Sequence, residues 1–265
     1  MRAVHAPQSE TDLLPTSPAR ARLAFDELLA NQLALFMVRR QASDTAPGRC
    51  FAPQGQLLAA LTADLPFEMT AAQHAAIGEI TADQAAPKRM LRMLQGDVGS
   101  GKTLVALAAM LTVAETGAQA ALLAPTEVLA RQHHASLNAL LRPLKMNVGL
   151  LLGQGRTSNA AADDALPNGI NHAPRTRKDT LAAMEDGTIS LVVGTHALLS
   201  DTAIFQDLGL AVIDEQHRFG VRQRILLGEK GRDVDVLVMT ATPIPRSLAM
   251  TAYGDLDHSR LDEKP

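Results

Sequence analysis

A glycine-rich stretch, GDVGSGKT at residues 96–103, constrains the fold of this chain more than any other feature. It lies between a short apolar run, MLRMLQ, and a helix-favouring run, KTLVALAAMLTVAET. The glycines of a G-x-x-x-x-G-K-[ST] pattern let successive backbone N–H groups curve around phosphate oxygens. Because such a loop joins a strand to the N-terminus of a helix, the stretch predicts an α/β domain that binds a nucleoside triphosphate.

Alternating apolar and helical stretches extend this prediction to most of the chain. Helical stretches such as TEVLARQHHASLNALL lie between several short apolar runs that lack a polar face. Such runs are typical of strands covered on both sides, and their alternation with helices predicts a mostly parallel sheet with helices on both faces. The runs are MLRMLQ, AQAALLAP, VGLLLG, ISLVVG, LGLAVID and VDVLVMT.

The N-terminal part, residues 1–63, is predicted to be a helical and linker segment that precedes a domain at residues 64–265. Apolar residues at helical spacing predict a helix from Arg20 to Gln41 that packs against a neighbour. The next stretch, ASDTAPGRCFAPQG, is typical of a loop. A second helix is expected from Thr70 to Gln84, because Thr70 and Gln73 form an S/T-x-x-E/Q capping box.

The stretch from Gly153 to Asp179 interrupts the alternation. It is rich in Gly, Asn, Pro and Ala and has no period. A loop of this length in a compact domain is usually mobile or functional, so we expect a flexible insertion. Its RTRK run is compatible with contacts to phosphates and equally with a solvated surface.

Composition excludes several classes of protein. A net charge of −3 leaves no global basic field, so any nucleic-acid binding needs a local patch. Cys50 is the only cysteine, which rules out an internal disulfide and favours a reducing compartment. No run approaches the roughly 18 uncharged apolar residues of a membrane helix. With no Trp and a single Tyr, a base-stacking platform is not expected.

A carboxylate pair supplies what a triphosphate-bound Mg²⁺ needs beside the loop. Lys102 can reach the β- and γ-phosphates, and the Thr103 hydroxyl can ligate Mg²⁺. After the run LGLAVID, Asp214 can hold the metal through water while Glu215 polarises an attacking water. This arrangement suits hydrolysis, although such a pair is by itself also compatible with a solvated turn. Loop residues expected to bind ATP are Gly96, Gly99, Ser100, Gly101, Lys102 and Thr103.

The stretch DEQH, residues 214–217, resembles a motif of superfamily 2 helicases, and other stretches follow that pattern in order. FEMTAAQ is similar to the adenine-reading Q motif, which implies that Gln73 hydrogen-bonds adenine. APTEVLARQH and GTHAL resemble motifs Ia and Ib, which contact the nucleic-acid backbone. TATPIPR resembles motif III, which links the ATP site to DNA. The resemblance implies a RecA-like P-loop domain that uses ATP and Mg²⁺.

The same resemblance implies roles for individual residues. Catalysis would fall to Lys102, Asp214, Glu215 and His217, with Mg²⁺ held by Thr103 and Asp214. Contacts to DNA phosphates are implied for Thr126, Arg131, Thr195 and His196. Coupling between the ATP site and DNA is implied for Gln216, Thr240, Thr242 and Arg246.

Two features of the motif Ia stretch have simpler interpretations. Each candidate DNA contact is equally compatible with capping or local packing, and Thr126 in particular would suit the N-cap of the following helix. His133 and His134 are adjacent on that helix and face different ways. We therefore expect two surface histidines and no shared metal.

Longer stretches resemble the RecG family of bacterial fork-remodelling helicases, among them LQGDVGSGKT, VVGTHAL and VIDEQHRFGVRQR. The Mfd family of transcription-repair coupling translocases is the alternative. It typically has Glu-Glu-Gln-Arg where this chain has Glu-Gln-His-Arg at 215–218, and a bulky residue in place of Ser100. A non-hydrolysing nucleotide-binding module is a third alternative.

The RecG resemblance implies a motor for branched DNA, such as replication forks and Holliday junctions, in DNA repair and recombination. It also implies a wedge domain with an OB fold and a second RecA-like lobe, for which these 265 residues leave no room. We therefore expect an ATP-binding lobe separated from its partner domains, monomeric, from the bacterial cytoplasm and slow to hydrolyse ATP alone.

Overall fold

A computed structural model describes residues 9–14, 16–45, 48–153, 176–214, 230–231, 233–241 and 256–263 of the chain. These residues divide into two compact units, one up to Thr45 and one from Gly48 onwards. In these ranges no helix is long and apolar enough to cross a membrane.

The first unit contains a short 3₁₀ helix, Glu10–Leu13, and a long helix, α1, Pro18–Thr45. Proline suits the first position of a helix, where its missing N–H has no intrahelical acceptor to satisfy. The helix predicted from Arg20 to Gln41 is confirmed and runs a few residues further at both ends. Phe25 and Leu28 are at least half exposed on it, and its packing partner stays a prediction.

The second unit is built on seven strands that form one sheet. Their order is β3-β4-β2-β5-β6-β1-β7, and every neighbouring pair is parallel. The six predicted apolar runs are confirmed as the first six strands, and the predicted α/β class with them. The strands are β1 Leu91–Gly96, β2 Gln119–Leu123, β3 Val148–Leu151, β4 Leu191–Gly194, β5 Leu208–Asp214, β6 Asp235–Thr240 and β7 Asp257–Leu261.

Helices cover both faces of this sheet. Alternate residues of the strands belong to two buried apolar clusters, as expected when successive side chains point to opposite faces. One cluster contains residues of the helices Ala71–Ala85, Lys102–Glu115 and Glu127–Leu141, and the other contains Met184 of the helix Arg177–Glu185. The helices are α2 Gln56–Ala63, α3 Ala71–Ala85, α4 Lys102–Glu115, α5 Glu127–Leu141 and α6 Arg177–Glu185, with a 3₁₀ helix at His196–Leu199.

The predicted boundary between residues 63 and 64 needs correction. Phe51 and Leu61 are almost fully buried in the main apolar cluster, 1% and 2% exposed. Glu115 on α4 accepts hydrogen bonds from the backbone N–H groups of Gln56 and Leu57. The second unit therefore begins before α2, because the apolar residues of that segment are buried with the sheet.

Candidate nucleotide site

The glycine-rich loop follows β1 and ends where α4 begins, as the sequence predicts. Gly99 and Gly101 have φ angles of +85° and +83°, which only glycine adopts without strain. At Gly101 an added Cβ would lie 2.1 Å from Nε2 of Gln73. Gly101 also precedes the first residue of α4, Lys102, so the loop ends at a helix N-terminus, which favours the binding of anions.

Lys102 folds back over the loop in this structure. Its Nζ donates hydrogen bonds to the carbonyl oxygens of Gly96 and Asp97, at 2.6 Å and 2.7 Å. These contacts hold the ammonium group of Lys102 against the backbone of the loop. A bound phosphate would offer the same ammonium group a charged acceptor, and such bonds are roughly twice as strong as neutral ones.

Asp214 ends β5 at the same edge of the sheet as the loop. β6 lies between β1 and β5, so the two strands are separated by two strand spacings, roughly 10 Å. Thr240 at the end of β6 pairs with Gln95 of β1 and is 1% exposed. The order of the strands therefore places Thr240 between the loop and Asp214, where a coupling residue is predicted.

The donors at this edge fit Mg²⁺. Thr103 supplies a hydroxyl and Asp214 a carboxylate, and Mg²⁺ prefers oxygen ligands that include waters and substrate phosphates. Across the described ranges, no three His, Cys, Asp or Glu side chains group into a ready metal site.

An open pocket of about 460 Å³ lies beside the start of α3. Phe67, which is 47% exposed, and His74 are among the residues that line it. Gln73 itself is 1% exposed, and its amide binds the backbone of Thr70 and Ser100. The predicted capping box of Thr70 and Gln73 is confirmed, whereas contact of Gln73 with adenine stays a prediction.

The sequence was compared with models of known protein families, and the result is consistent with the geometry of the loop and of Asp214. A family model described as DEAD/DEAH box helicase matches residues 70–251, well over half of the chain. The chain belongs to the DEAD/DEAH box helicase family. The described part of residues 70–251 lies in the second compact unit.

Curated proteins similar to this chain include several named ATP-dependent DNA helicase RecG. The ATP-dependent DNA helicase RecG of Acidithiobacillus ferridurans is 48% identical over 252 residues, which cover 95% of this chain and 34% of the relative. RecG of Bacillus subtilis is 42% identical over 265 residues, which cover 100% of this chain and 36% of the relative. The helicase chain thus spans about a third of the length of these relatives.

Solved structures agree with the RecA-like helicase fold. A structure of RecG bound to a three-way DNA junction matches with a TM-score of 0.76 and 39% identity, covering 93% of this chain and 31% of that one. The DUF1998 helicase MrfA bound to DNA matches with a TM-score of 0.53 at 18% identity, which shows the fold alone.

The candidate DNA contacts of the helicase chain differ in accessibility. The Thr126 hydroxyl caps α5 by accepting from the N–H of Leu129, 3.3 Å away, and its own hydrogen can still be donated to a phosphate. His196 is exposed. Thr195 is 2% exposed, so its predicted phosphate contact would require the side chain to become accessible.

The start of α5 and the 3₁₀ helix of His196 meet beside Gly153. A Cβ added at Gly153 would lie 3.7 Å from Oε1 of Glu127 and 3.8 Å from Cε1 of His196. Two of the candidate contacts, Thr126 and His196, therefore belong to neighbouring segments at the carboxyl edge of the sheet. Arg131 is partly buried on α5, and its contact with DNA stays a prediction.

The prediction that His133 and His134 are surface residues is wrong. Nε2 of His133 lies 2.6 Å from Oδ2 of Asp214. Nε2 of the adjacent His134 lies 2.9 Å from the Val148 carbonyl oxygen. Burial lowers the pKa of His134 below its ordinary value, and nearby Arg131 lowers it further, while the Val148 carbonyl opposes these effects.

The spacing of residues along α5 is the sequence signal that predicts burial of His133 and His134. His133 and His134 stand three and four residues after buried Ala130, and Leu137 follows at seven. This i, i+3, i+4, i+7 spacing is typical of the buried stripe of a helix. Adjacent residues can therefore flank one buried stripe and still bind different partners.

Several predicted positions lie outside the described residues. They include most of the predicted insertion, residues 154–175. The functional candidates among them are Glu215, Gln216, His217, Thr242 and Arg246. Their roles in catalysis and coupling stay predictions.

Proposed function

We propose that the chain is the ATP-binding motor lobe of an ATP-dependent DNA helicase that remodels branched DNA, including stalled replication forks and Holliday junctions. The observation that carries the proposal is the placement of the P-loop and Asp214 at one edge of the sheet, two strands apart. The similarity to proteins named RecG supports this reading over the Mfd-type alternative.

In this proposal Lys102 exchanges its two carbonyl acceptors for phosphate oxygens of ATP. The loop N–H groups between Gly96 and Lys102 would hold the phosphates, and Thr103 and Asp214 would hold Mg²⁺. When bound, Mg²⁺ would neutralise phosphate charge. Glu215 follows Asp214 directly and is the base proposed to orient the attacking water.

The DNA contacts are proposed to be to phosphates rather than to base edges, because a motor must step along any sequence. Thr126 and His196 are the best placed candidates, since their segments meet at one edge of the sheet. Glu127 directly follows Thr126, and its side chain and the His196 ring both lie near Gly153. Its negative charge would oppose a phosphate. Basic groups such as Arg131 would therefore have to supply the attraction.

Hydrolysis is proposed to need a second lobe. Developing charge on the γ-phosphate is met in related ATPases and GTPases by an arginine from a partner, an effect of roughly 10³ to 10⁵ in rate. In such a protein the lobe would act with a wedge domain, as a monomer, in the bacterial cytoplasm. The 265 residues alone are expected to bind Mg-ATP weakly and to hydrolyse it very slowly.

The test measures ATP hydrolysis by the full-length protein that carries this chain, with a three-way junction and with linear duplex of equal length. Stronger stimulation by the junction supports the proposal, and an absence of hydrolysis with either DNA overturns it. The same assay on the 265-residue chain tests the second lobe. Brisk DNA-stimulated hydrolysis by that chain alone would refute the need for a partner.

A further inference from the structure

The Asp214 carboxylate contacts the largely buried side chain of His133, which is not among the residues predicted to bind ATP or Mg²⁺. The Nε2 atom of His133 lies 2.6 Å from Oδ2 of Asp214, and both side chains are only 13% exposed. Such a short contact between largely buried polar groups is a strong hydrogen bond. His133 therefore restrains one oxygen of the carboxylate that is proposed to hold Mg²⁺.

The helix that carries His133 is itself held in place. Its buried residues Ala130 and Leu137 belong to the main apolar cluster. Nδ2 of Asn138 lies 3.0 Å from Nε2 of His134, and Oδ1 of Asn138 accepts a hydrogen bond from the N–H of Val148 at 3.2 Å. His133 thus projects from a helix that is fixed between the start of β3 and the end of β5.

The backbone at Asp214 is fixed as well, because β5 pairs with β6 up to the register of Asp214 with Met239. The remaining freedom of this residue lies in its two side-chain torsions. A hydrogen bond to one carboxylate oxygen removes much of that freedom and leaves the other oxygen for a second partner. Outer partners of metal ligands act in this way, and their loss typically costs about 10- to 100-fold in metal affinity or activity.

We infer that His133 is a positioning residue for Asp214, which orients the carboxylate for Mg²⁺ in the nucleotide complex. The inference rests on the proposed function, since it assumes that Asp214 holds the metal. His133 touches neither nucleotide nor DNA in this role. It also joins the ATP site to α5, the helix that begins at the candidate DNA contact Thr126.

A matched pair of substitutions tests the inference on this chain. In His133→Gln the amide nitrogen occupies a position similar to Nε2 and can still donate to Asp214. In His133→Asn the amide is one methylene shorter and cannot reach it. Gln132→Asn on the same helix is the control, because the Gln132 side chain is exposed.

The measurement is the binding of a fluorescent ATP analogue in a titration of Mg²⁺, and again without metal. Mn²⁺ binding in the presence of ATP, followed by electron paramagnetic resonance, gives a spectroscopic signature of the site. We expect His133→Asn to raise the Mg²⁺ concentration at half-saturation about 10-fold, with metal-free binding unchanged. His133→Gln and Gln132→Asn should stay within about 2-fold of the parent chain and keep its Mn²⁺ spectrum.

Each other outcome has a definite meaning. An unchanged Mg²⁺ requirement in His133→Asn overturns the inference and leaves the proposed function intact. An equal loss of metal-free and metal-dependent binding, without rescue by Gln, shows a purely structural role and also overturns it. If the parent chain shows no Mg²⁺-dependent binding at all, both proposals fail. Should His133→Asn not fold, His133→Leu takes its place, and metal-dependent binding as tight as in the parent overturns the inference.

Discussion

Nε2 of Gln73 donates a hydrogen bond to the backbone carbonyl of Ser100, 2.9 Å away. Oε1 of the same amide accepts from the N–H of Thr70 at 3.0 Å. The amide therefore joins the start of α3 to the P-loop. Nε2 can still donate one more hydrogen bond and Oε1 can still accept one more. Support of the loop and the predicted contact with adenine are therefore compatible.

Replacement of Gln73 by Ala should destabilise the second unit by about 1–3 kcal/mol, because it leaves the Thr70 N–H and the Ser100 carbonyl without a partner. Urea unfolding measures this change. The exposed Gln132 on α5 is the control, and its replacement by Ala should stay within about 0.5 kcal/mol of the parent. Equal effects of the two substitutions would contradict the prediction.

Nucleotide binding by Gln73→Ala separates the two roles of this side chain. Loss of loop support lowers the affinity for ATP and GTP by the same factor. Loss of an adenine contact lowers the affinity for ATP alone. We expect both affinities to fall, because the bond to Ser100 is present in the structure, with a larger fall for ATP if the sequence-based role also holds.

Two glycines of the loop should respond differently to Ala. Gly99→Ala meets no atom within 4 Å of the added Cβ, so its cost comes from the positive φ alone, roughly 1 kcal/mol. Gly101→Ala has a similar φ and also displaces Gln73, whose Nε2 would lie 2.1 Å from the added Cβ. Thermal unfolding and ATP binding should both show the larger loss for Gly101→Ala. Equal losses would mean that the Gln73 contact is unimportant.

The apolar strands were predictable because they are covered on both faces and need no polar residues. β7 was not predicted, since this edge strand alternates in burial and reads DHSRL. α6 was also not predicted, for a different reason. Its capping box of Thr176 and Asp179 lies at the end of a stretch that composition marks as a loop, although the T-x-x-D spacing is itself a helix-start signal.

The residues of the candidate nucleotide site were predictable only where a short motif fixes both residue type and spacing. The P-loop and Asp214 satisfy that condition, and the strand order brings them together. The bond between His133 and Asp214 joins residues 81 positions apart, so it depends on how α5 packs against the sheet. No local pattern encodes that packing, although the spacing of His133 within its helix indicated burial.

A buried arginine holds three elements of the second unit together. Arg92 on β1 binds Asp83 and Glu79 on α3, with Nε 2.9 Å from Oδ2 of Asp83 and Nη1 2.9 Å from Oε2 of Glu79. It also donates to the Ser259 hydroxyl on β7 at 2.8 Å. The Asp83 side chain is 15% exposed, so loss of the guanidinium would leave a largely buried carboxylate without its charged partner.

Arg92→Ala should therefore destabilise the second unit by about 3–5 kcal/mol, the range for breaking a buried pair by removing one partner. Arg22→Ala is the contrast, because Arg22 and Asp26 are 75% and 49% exposed, and such a pair contributes only about 0.3–0.5 kcal/mol. Chemical denaturation of both variants checks the difference. A small effect of Arg92→Ala would show that Asp83 is rehydrated at little cost.

Lys102→Ala should abolish ATP turnover by the full-length protein, with a fall of roughly 100-fold or more, because a charged donor to the phosphates is removed. The exposed Lys88→Ala is the matched control and should hydrolyse ATP normally. Steady-state hydrolysis with saturating DNA measures both, and thermal unfolding verifies the fold. Normal turnover in Lys102→Ala would count against the phosphate site.

We expect Asp235 to make the stability of the second unit depend on pH. The residue is fully buried, its Oδ1 accepts from the N–H of Met90 at 2.7 Å, and Oδ2 has no partner among the described residues. Burial raises the pKa of this carboxyl to about 7, although the Met90 N–H and the charge of Arg89 act in the opposite direction. The folded state therefore binds a proton that the unfolded state releases near pH 4, at the ordinary pKa of Asp.

Because the folded pKa is raised, the stabilising effect of this proton is complete at low pH and is lost as pH rises through about 7. Asp235→Asn keeps the acceptor for Met90 and carries no charge. It should be more stable than the parent by about 2–4 kcal/mol near pH 8.5 and gain progressively less toward pH 5. Asp186→Asn is the control, since hydrogen bonds from Thr188 lower the pKa of that exposed carboxyl. Urea unfolding across this pH range measures the free energy of unfolding of both variants and of the parent. A pH-independent difference between Asp235→Asn and the parent would show that Asp235 does not titrate in the folded state.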